Sequence, residues 1–324
     1  MAASEEEHEA PTEPLDVACG LENVPVGVWP PGAEPEPFQY TPDHVAGPGA
    51  DTDPAEITFP GCTCLSGPCV PGTCACLRHG DNYDEDACLQ GLGSAAGCAQ
   101  PVFECNALCP CPGHCRNRVV QRGLQLPLQV FRTADKGWGL RTLQSVPRGR
   151  FVCEYAGEVL GFSEAQRRVR LQTEHDSNYV IAVREHVCRG RVMETFVDPA
   201  RVGNVGRFLN HSCEPNLLMV PVRVDSMVPR LALFAARDIL PGEELSYDYS
   251  GRFPHQVGSG DEGRPEDGKP RKPCHCGSGA CAAFLPYDGS LFCASAQPAV
   301  HPEGEGGSRT GLSAGEGEGR APPR

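Results

Sequence analysis

Between about residue 124 and residue 250 the chain alternates short apolar runs with polar breaks. The runs LQVF, RFVCEYAG, NYVIAV, TFVD and LALFAA are often β-branched and are bounded by Gly, Pro or charged clusters, which predicts many short strands. One helix is predicted at GFSEAQRRVRLQT, where Ser163 and Gln166 stand at capping-box spacing, and a shorter one at NVGRFL. A strand broken by Pro and Gly occurs twice, in SVPRGRFVCEYAGEV and DILPGEELSYDYSG, and predicts two similar hairpins rather than a repeat architecture. The fold class is therefore mainly β with little helix.

On either side this texture is lost. Residues 1–57 are rich in Pro, Gly and acids (WPPGAEPEPFQY, HVAGPGADTDP) and should be extended or disordered, with Phe38 and Tyr40 as anchors if the segment wraps the domain. Residues 253–273 (FPHQVGSGDEGRPEDGKPRKP) read as a flexible polar connector, and residues 291–324 as a low-complexity tail with no fold of its own. Two cysteine-rich modules, at 58–123 and 274–290, flank a β-rich domain at 124–252 and its connector.

Charge and cysteine content narrow the function. The 324 residues carry a formal net charge of −14, which disfavours direct DNA binding, because neutralising phosphates requires clustered Lys and Arg. Such a charge suits a basic partner, or merely keeps the protein soluble. Nineteen cysteines would suit a secreted disulfide framework, but the acidic start MAASEEEHEA has no apolar signal core. No apolar run is long enough to span a membrane, so no membrane partner is expected. Thiols at this density in a reducing compartment point to metal.

The cysteines fall into two groups. CTCLSGPCVPGTCAC and CNALCPCPGHC supply Cys62, Cys64, Cys69, Cys74, Cys76, Cys105, Cys109, Cys111 and Cys115. Zinc takes four ligands in a tetrahedron, so these thiolates fill two sites with one left over, or three sites if three sulfurs bridge. A bridged cluster would be net negative, with Arg78, Arg116 and Arg118 nearby. Closed coordination leaves no place for a reacting water, so such zinc is structural. Cys88 and Cys98 lack motif spacing and read as plain thiols. The second group, CHCGSGAC, supplies Cys274, Cys276 and Cys281, one ligand short of a tetrahedron. Cys213, in RFLNHSCEPN, is the best unused candidate, and His275 is the weaker one because it is wedged between two ligands.

The nine-cysteine knot, RFLNHSCEPN, GEELSYDY and the terminal C-x-C-x4-C, in that order, resemble the pre-SET, SET and post-SET modules of Suv39-like histone-lysine N-methyltransferases. The resemblance covers about residues 58 to 290. It implies a SET-domain fold of small curved sheets with a knot-like core, three zinc ions in the pre-SET and one in the post-SET. It also implies methyl transfer from S-adenosyl-L-methionine to a lysine amine. In KGWGLR, Lys136, Gly137 and Trp138 match the family's cofactor loop, although a Gly-x-Gly stretch alone is as readily a simple turn. Asn210 and His211 match cofactor contacts, the amide and imidazole hydrogen-bonding the cofactor, and Arg207 and Tyr179 match positions lining its pocket. Tyr249 matches the catalytic tyrosine, and Tyr247 the position where the family has Phe or Tyr.

A phenol at Tyr247 leaves less room for added methyl groups, so mono- and dimethylation are expected. The implied partner is a histone H3 tail or nucleosome, with lysine 36 or lysine 4 ahead of lysine 9. The implied location is the nucleus and chromosome, although GKPRKP is only a short basic run for an import signal. Phe284 and Leu285 would give the post-SET its apolar contacts. Two rival readings stay open on sequence: an inactive zinc-stabilised chromatin scaffold, and an enzyme for a non-histone lysine.

Overall fold

The apolar runs become strands because alternate positions bury. In β5 below, Leu128 and Val130 are almost inaccessible while Gln129 and Phe131 between and after them are only partly buried. The structure, a computed structural model, describes residues 15–65, 69–91, 101–173, 176–187, 191–250, 252–253, 272–286 and 291. In chain order the strands are β1 (Gly27–Trp29), β2 (Gln39–Tyr40), β3 (Val45–Ala46), β4 (Val102–Phe103), β5 (Leu128–Arg132), β6 (Trp138–Thr142), β7 (Phe151–Glu154) and β8 (Gly157–Leu160). After helix α1 (Phe162–Leu171) come β9 (Ile181–Val187), β10 (Arg191–Gly203), β11 (Asn210–His211), β12 (Leu217–Arg223), β13 (Arg230–Ala235), β14 (Glu244–Tyr247) and β15 (Arg252–Phe253).

Among the described residues these strands form three small sheets. One has the order β1-β5-β6-β14-β11 and another the order β4-β12-β13-β7. The third runs β15-β9-β10-β8-β3, with β2 added to β10. A shared core holds them, with Val130, Leu140, Val152, Val197, Leu231, Leu233 and Leu245 among its buried members. This is the mainly β, multi-sheet SET architecture expected. The second predicted helix is present as a 3-10 turn, Val205–Phe208, capped by the Asn204 side chain, which accepts from the Gly206 N–H.

Three expectations change. The two Pro-Gly stretches are not hairpins. Val146 of one bridges Ile239 of the other through paired backbone hydrogen bonds of 2.9 Å, and the strands that follow enter different sheets. The capping box does not form either. Helix α1 is entered through Gly161 with no side-chain cap, because Gly161 packs on the Gly49 backbone so closely that a Cβ would lie 2.2 Å from its carbonyl oxygen. Leu291, placed in an unstructured tail, is buried at 3% exposure against Leu160, Ala165, Val169 and Phe196. The connector 254–271, Cys98 and the residues after Leu291 lie outside the described residues.

The N-terminal segment is extended and pinned from residue 15 onward. It supplies β1 to β5, β2 to β10 and β3 to β8, each in parallel register, so a Pro/Gly-rich stretch contributes edge strands that need only a few backbone bonds. Val26 is fully buried, the Tyr40 hydroxyl donates to Glu22 at 2.9 Å, and Asn23 donates to the Arg122 carbonyl at 2.7 Å. Asp43 pairs with Arg230, and His44 Nδ1 accepts the Gly157 N–H at 3.3 Å. Phe38 packs on the core through an edge contact with Phe208 at 5.8 Å. Both sequence-picked anchors therefore hold.

Two sheets are cross-linked by one buried ion pair. Arg223 of β12 donates to both carboxylate oxygens of Glu185 in β9, at 2.9 and 2.7 Å, and both side chains are under a tenth exposed. Removing one partner strands a charge in low dielectric. Arg223→Met should destabilise the protein by about 3–5 kcal/mol, and Arg223→Met/Glu185→Leu should recover most of that loss, as read by denaturant unfolding. Equal losses in the single and double variants would show that the pair is not coupled.

Candidate active site and metal centres

The first knot brings its sulfurs to metal-coordinating distance. Three groups of four have every sulfur within 4.8 Å of the others: Cys62, Cys69, Cys74 and Cys105; Cys62, Cys76, Cys105 and Cys109; and Cys69, Cys105, Cys111 and Cys115. Individual separations of 3.9 Å (Cys62–Cys69), 3.7 Å (Cys69–Cys105) and 3.7 Å (Cys76–Cys109) are far beyond a disulfide bond. They match the edge of a zinc tetrathiolate, where a Zn–S bond of about 2.3 Å sets sulfurs about 3.8 Å apart. Cys62, Cys69 and Cys105 recur between groups, which is the sharing a three-metal cluster needs, so the bridged alternative is the one the geometry fits. Cys64 packs against the knot without joining one of these groups. Of the three arginines only Arg118 reaches a thiol, Cys111 Sγ at 3.5 Å. Arg78 stacks over Phe103 and Arg116 pairs with Asp81.

The second centre closes with the cysteine from the distant loop. Cys213, Cys274, Cys276 and Cys281 lie within 4.8 Å of one another, with Cys213 and Cys274 3.9 Å apart. The Ala282 N–H donates to Cys213 Sγ at 3.4 Å. His275 is exposed and outside the group. A bridge between Pro273 and Phe284, with Cys274 N–H on the Ala283 carbonyl at 2.8 Å, holds the knuckle. Leu285 is half-buried, and Phe284 remains 44% exposed.

Beside that centre the cofactor-loop residues converge. β11 pairs in parallel with β14, placing Asn210 opposite Ser246 and His211 opposite Tyr247. Asn210 Nδ2 donates to the Trp138 carbonyl at 3.1 Å and to Glu244 Oε1 at 3.0 Å. The same carboxylate takes the Lys136 ammonium at 2.7 Å. Lys136, Trp138 and Asn210 are therefore tied through Glu244, a residue not singled out in the sequence although it stands in GEELSYDY. Gly137, at φ +75°, makes the left-handed turn that starts β6, a conformation costly for other residues. Arg207 does not join this group. Its guanidinium bonds the Pro199 and Ala200 carbonyls and stacks on Phe38 at 4.2 Å and Tyr179 at 4.8 Å.

Four tyrosines line up next to these residues. Ring centroids are 5.7 Å apart for Tyr155 and Tyr247 and 4.9 Å for Tyr247 and Tyr249. The Tyr155 hydroxyl donates to the Tyr179 carbonyl at 2.6 Å, and the Tyr249 hydroxyl to the Leu209 carbonyl at 2.6 Å. Burial, reinforced by neighbouring phenols, pushes the ionisation of Tyr155, Tyr247 and Tyr249 above the usual tyrosine range, so all three stay protonated. Tyr155 was missed because it stands between two strands, where a buried aromatic reads as core.

His211 differs from expectation. Its ring is spent inside the protein: Nδ1 accepts the Tyr249 N–H at 3.2 Å and Nε2 lies 3.4 Å from Cys213 Sγ. Burial holds this imidazole below the usual histidine range. The ring is therefore not free to bond a cofactor, for which the His211 backbone remains.

Comparison with known proteins identifies the family of the chain. Residues 18–118 match the Pre-SET motif and residues 137–250 match the SET domain. The chain is 71% identical over 304 residues to the histone-lysine N-methyltransferase SETMAR of Bos taurus, covering 94% of this chain and 99% of that protein. The crystal structure of the methyltransferase domain of human SETMAR superposes with a TM-score of 0.76 at 66% identity, over 86% of this chain and 99% of that one. Arabidopsis thaliana SUVH6 in complex with SAM superposes with a TM-score of 0.64 at 31% identity, over 84% of this chain and 55% of that one.

The two centres predict a metal count. Native mass spectrometry of the full chain should find three zinc ions in the first knot and one in the second. Cys213→Ser should lose the single ion and keep the other three. Retention of all four would place the missing ligand elsewhere.

Proposed function

We propose a reaction from one premise: the chain belongs to the pre-SET and SET histone-lysine N-methyltransferases. It is an S-adenosyl-L-methionine-dependent protein-lysine N-methyltransferase, and the observation that carries its mechanism is the tyrosine group against the Lys136–Glu244–Asn210 cluster. When bound, the cofactor supplies an electrophilic methyl group on a positively charged sulfur. In our reading Lys136, Gly137, Trp138, Asn210 and the His211 backbone hold it, with Tyr179 and Arg207 at the pocket wall.

The chain's own residues solve two problems. An acceptor lysine of pKa about 10.4 is almost entirely protonated at pH 7, at a cost of about 4.6 kcal/mol to neutralise. A dry channel walled by Tyr155, Tyr247 and Tyr249 disfavours the ammonium form and lowers that cost. Orientation is the second problem. Tyr249 donates its proton to the Leu209 carbonyl, which leaves its oxygen as an acceptor for the amine N–H or the polarised methyl C–H. Neither tyrosine acts as a phenolate base, since burial raises the ionisation of both.

The finer reading is mono- and dimethylation of a histone H3 tail, at lysine 36 or lysine 4 ahead of lysine 9, on nucleosomes in the nucleus. Support for the product comes from the buried Tyr247 ring, packed on Tyr155 at 5.7 Å and on Tyr249 at 4.9 Å, with Tyr155 itself tied to the Tyr179 carbonyl, which keeps a phenol at the channel wall. The net charge of −14 supports a basic tail as partner rather than direct DNA binding. The division into pre-SET 58–123, SET 124–252 and post-SET 274–290 remains part of the same proposal, as do Phe284 and Leu285 as the post-SET contacts.

Methyl transfer from labelled cofactor to recombinant nucleosomes, read by mass spectrometry, tests it. Mono- and dimethyl product on one H3 lysine, abolished in Tyr249→Phe, is expected, and Tyr247→Phe should shift product towards trimethyl. Trimethyl product from the unaltered enzyme would sink the Tyr247 argument, and product on no histone would redirect the enzyme to another protein.

The pH profile has a definite sign. The reactive amine is the deprotonated form and the buried tyrosines do not titrate near neutrality, so kcat/KM should rise about tenfold per pH unit from pH 7 until the amine's own pKa is reached. A profile falling between pH 7 and pH 9 would point to a different titrating group.

A further inference from the structure

We infer that His211 is a positioning residue through which the post-SET zinc centre fixes Tyr249. The inference rests on the methyltransferase reading of Tyr249 given above and assigns the imidazole a role other than cofactor contact. The geometry leaves little choice. Nδ1 accepts the Tyr249 N–H at 3.2 Å and so carries no hydrogen, which puts the neutral ring's proton on Nε2. Nε2 stands 3.4 Å from Cys213 Sγ, one of the four post-SET sulfurs. The ring is 5% exposed, so neither bond has water as a substitute. Asp248 stands 3.8 Å from Nδ1, beyond hydrogen-bond reach, and the opposite tautomer would leave both the Tyr249 N–H and the sulfur unserved.

Four thiolates on a divalent ion leave negative charge on sulfur, and an N–H donor to that sulfur both disperses the charge and orients the donor ring. Cys213 receives two such donors, the His211 ring and the Ala282 N–H. Tyr249 is then held at both ends by the stretch that ends in Cys213: its amide by His211, its hydroxyl by the Leu209 carbonyl at 2.6 Å. Ser212 N–H on the Tyr247 carbonyl at 3.1 Å fixes the other tyrosine from the same stretch. Coordination at the post-SET is thereby transmitted across a single ring to the backbone of the residue that orients the acceptor amine. The chain's own bonds make it a mechanical link.

The test uses the zinc-loaded full chain. Long-range proton–nitrogen NMR of the imidazole in the unaltered protein should show the Nε2–H tautomer, and an Nδ1–H tautomer would overturn the inference even if every variant failed to fold. His211→Phe keeps the ring volume without nitrogens. It should release the single post-SET zinc to a chelator about tenfold faster with the other three unchanged, and lower kcat about tenfold while the S-adenosylmethionine Kd moves less than about threefold. His211→Gln, which can accept and donate, should restore part of both. Unchanged zinc release, or a Kd that rises in step with the lost activity, would refute the link and return the ring to the cofactor. Should the unaltered protein transfer no methyl group, the proposed function fails, while the tautomer and the zinc release still decide the coupling.

Discussion

A tetrahedral ion cannot be closed by three thiolates, and much of the active-site geometry follows from that shortfall. Cys274, Cys276 and Cys281 need a fourth sulfur, and Cys213 supplies it from a loop more than sixty residues earlier. The closure draws the segment after the connector back onto β11. It sets Ala282 against Cys213 and brings the knuckle beside His211 and β14. Without this demand for coordination, a short loop in a small sheet has no reason to be the meeting point of a zinc centre, a cofactor loop and two tyrosines.

The pre-SET knot applies the same chemistry differently. Its cysteines form a buried cluster joined by Leu77, with sulfur in the place of the aliphatic packing found in the β-rich core. Metal there can hold a segment whose composition would bury too little apolar area to fold alone. The N-terminal strap needs another device, short strand pairing, and gains it by adding β1 to the edge of one sheet and β2 and β3 to another. Arg207 joins that strap to the domain: one guanidinium stacks on Phe38 of the strap and on Tyr179 while bonding two carbonyls of β10.

What was legible in the sequence follows the same division. The cysteines were readable because zinc imposes spacing, and the β-rich core because burial imposes alternation. Counting ligands showed that a fourth was missing, and the strain on a His275 wedged between two ligating cysteines pointed to Cys213. The features that escaped depend on contacts distant in sequence. Gly161 displaced the Ser163 cap because Gly49 packs on it, and Leu291 buries against α1 from a stretch of tail-like composition. Glu244 and Tyr155 carry no local signal either, since a carboxylate tying Lys136 to Asn210 and a phenol packed on the Tyr247 ring are properties of a shared site. The role of the His211 ring was misjudged for the opposite reason. The motif marks the residue, and only the coordinates say which atoms are spent.

The protonation state of the channel ties these layers together. Three phenols held above their ordinary range by burial are not poised as bases, so on the proposed mechanism the acceptor amine loses its proton before or during binding. The site is then best organised as a dry, rigid cavity rather than as an acid–base relay, and rigidity comes from bonds already present. Hydroxyls end on backbone carbonyls at Leu209 and Tyr179, and the Tyr249 amide ends on an imidazole fixed by a thiolate. An enzyme that orients a neutral amine without deprotonating it depends on that fixed geometry. In this chain the geometry is anchored, through His211 and Cys213, to the four post-SET sulfurs.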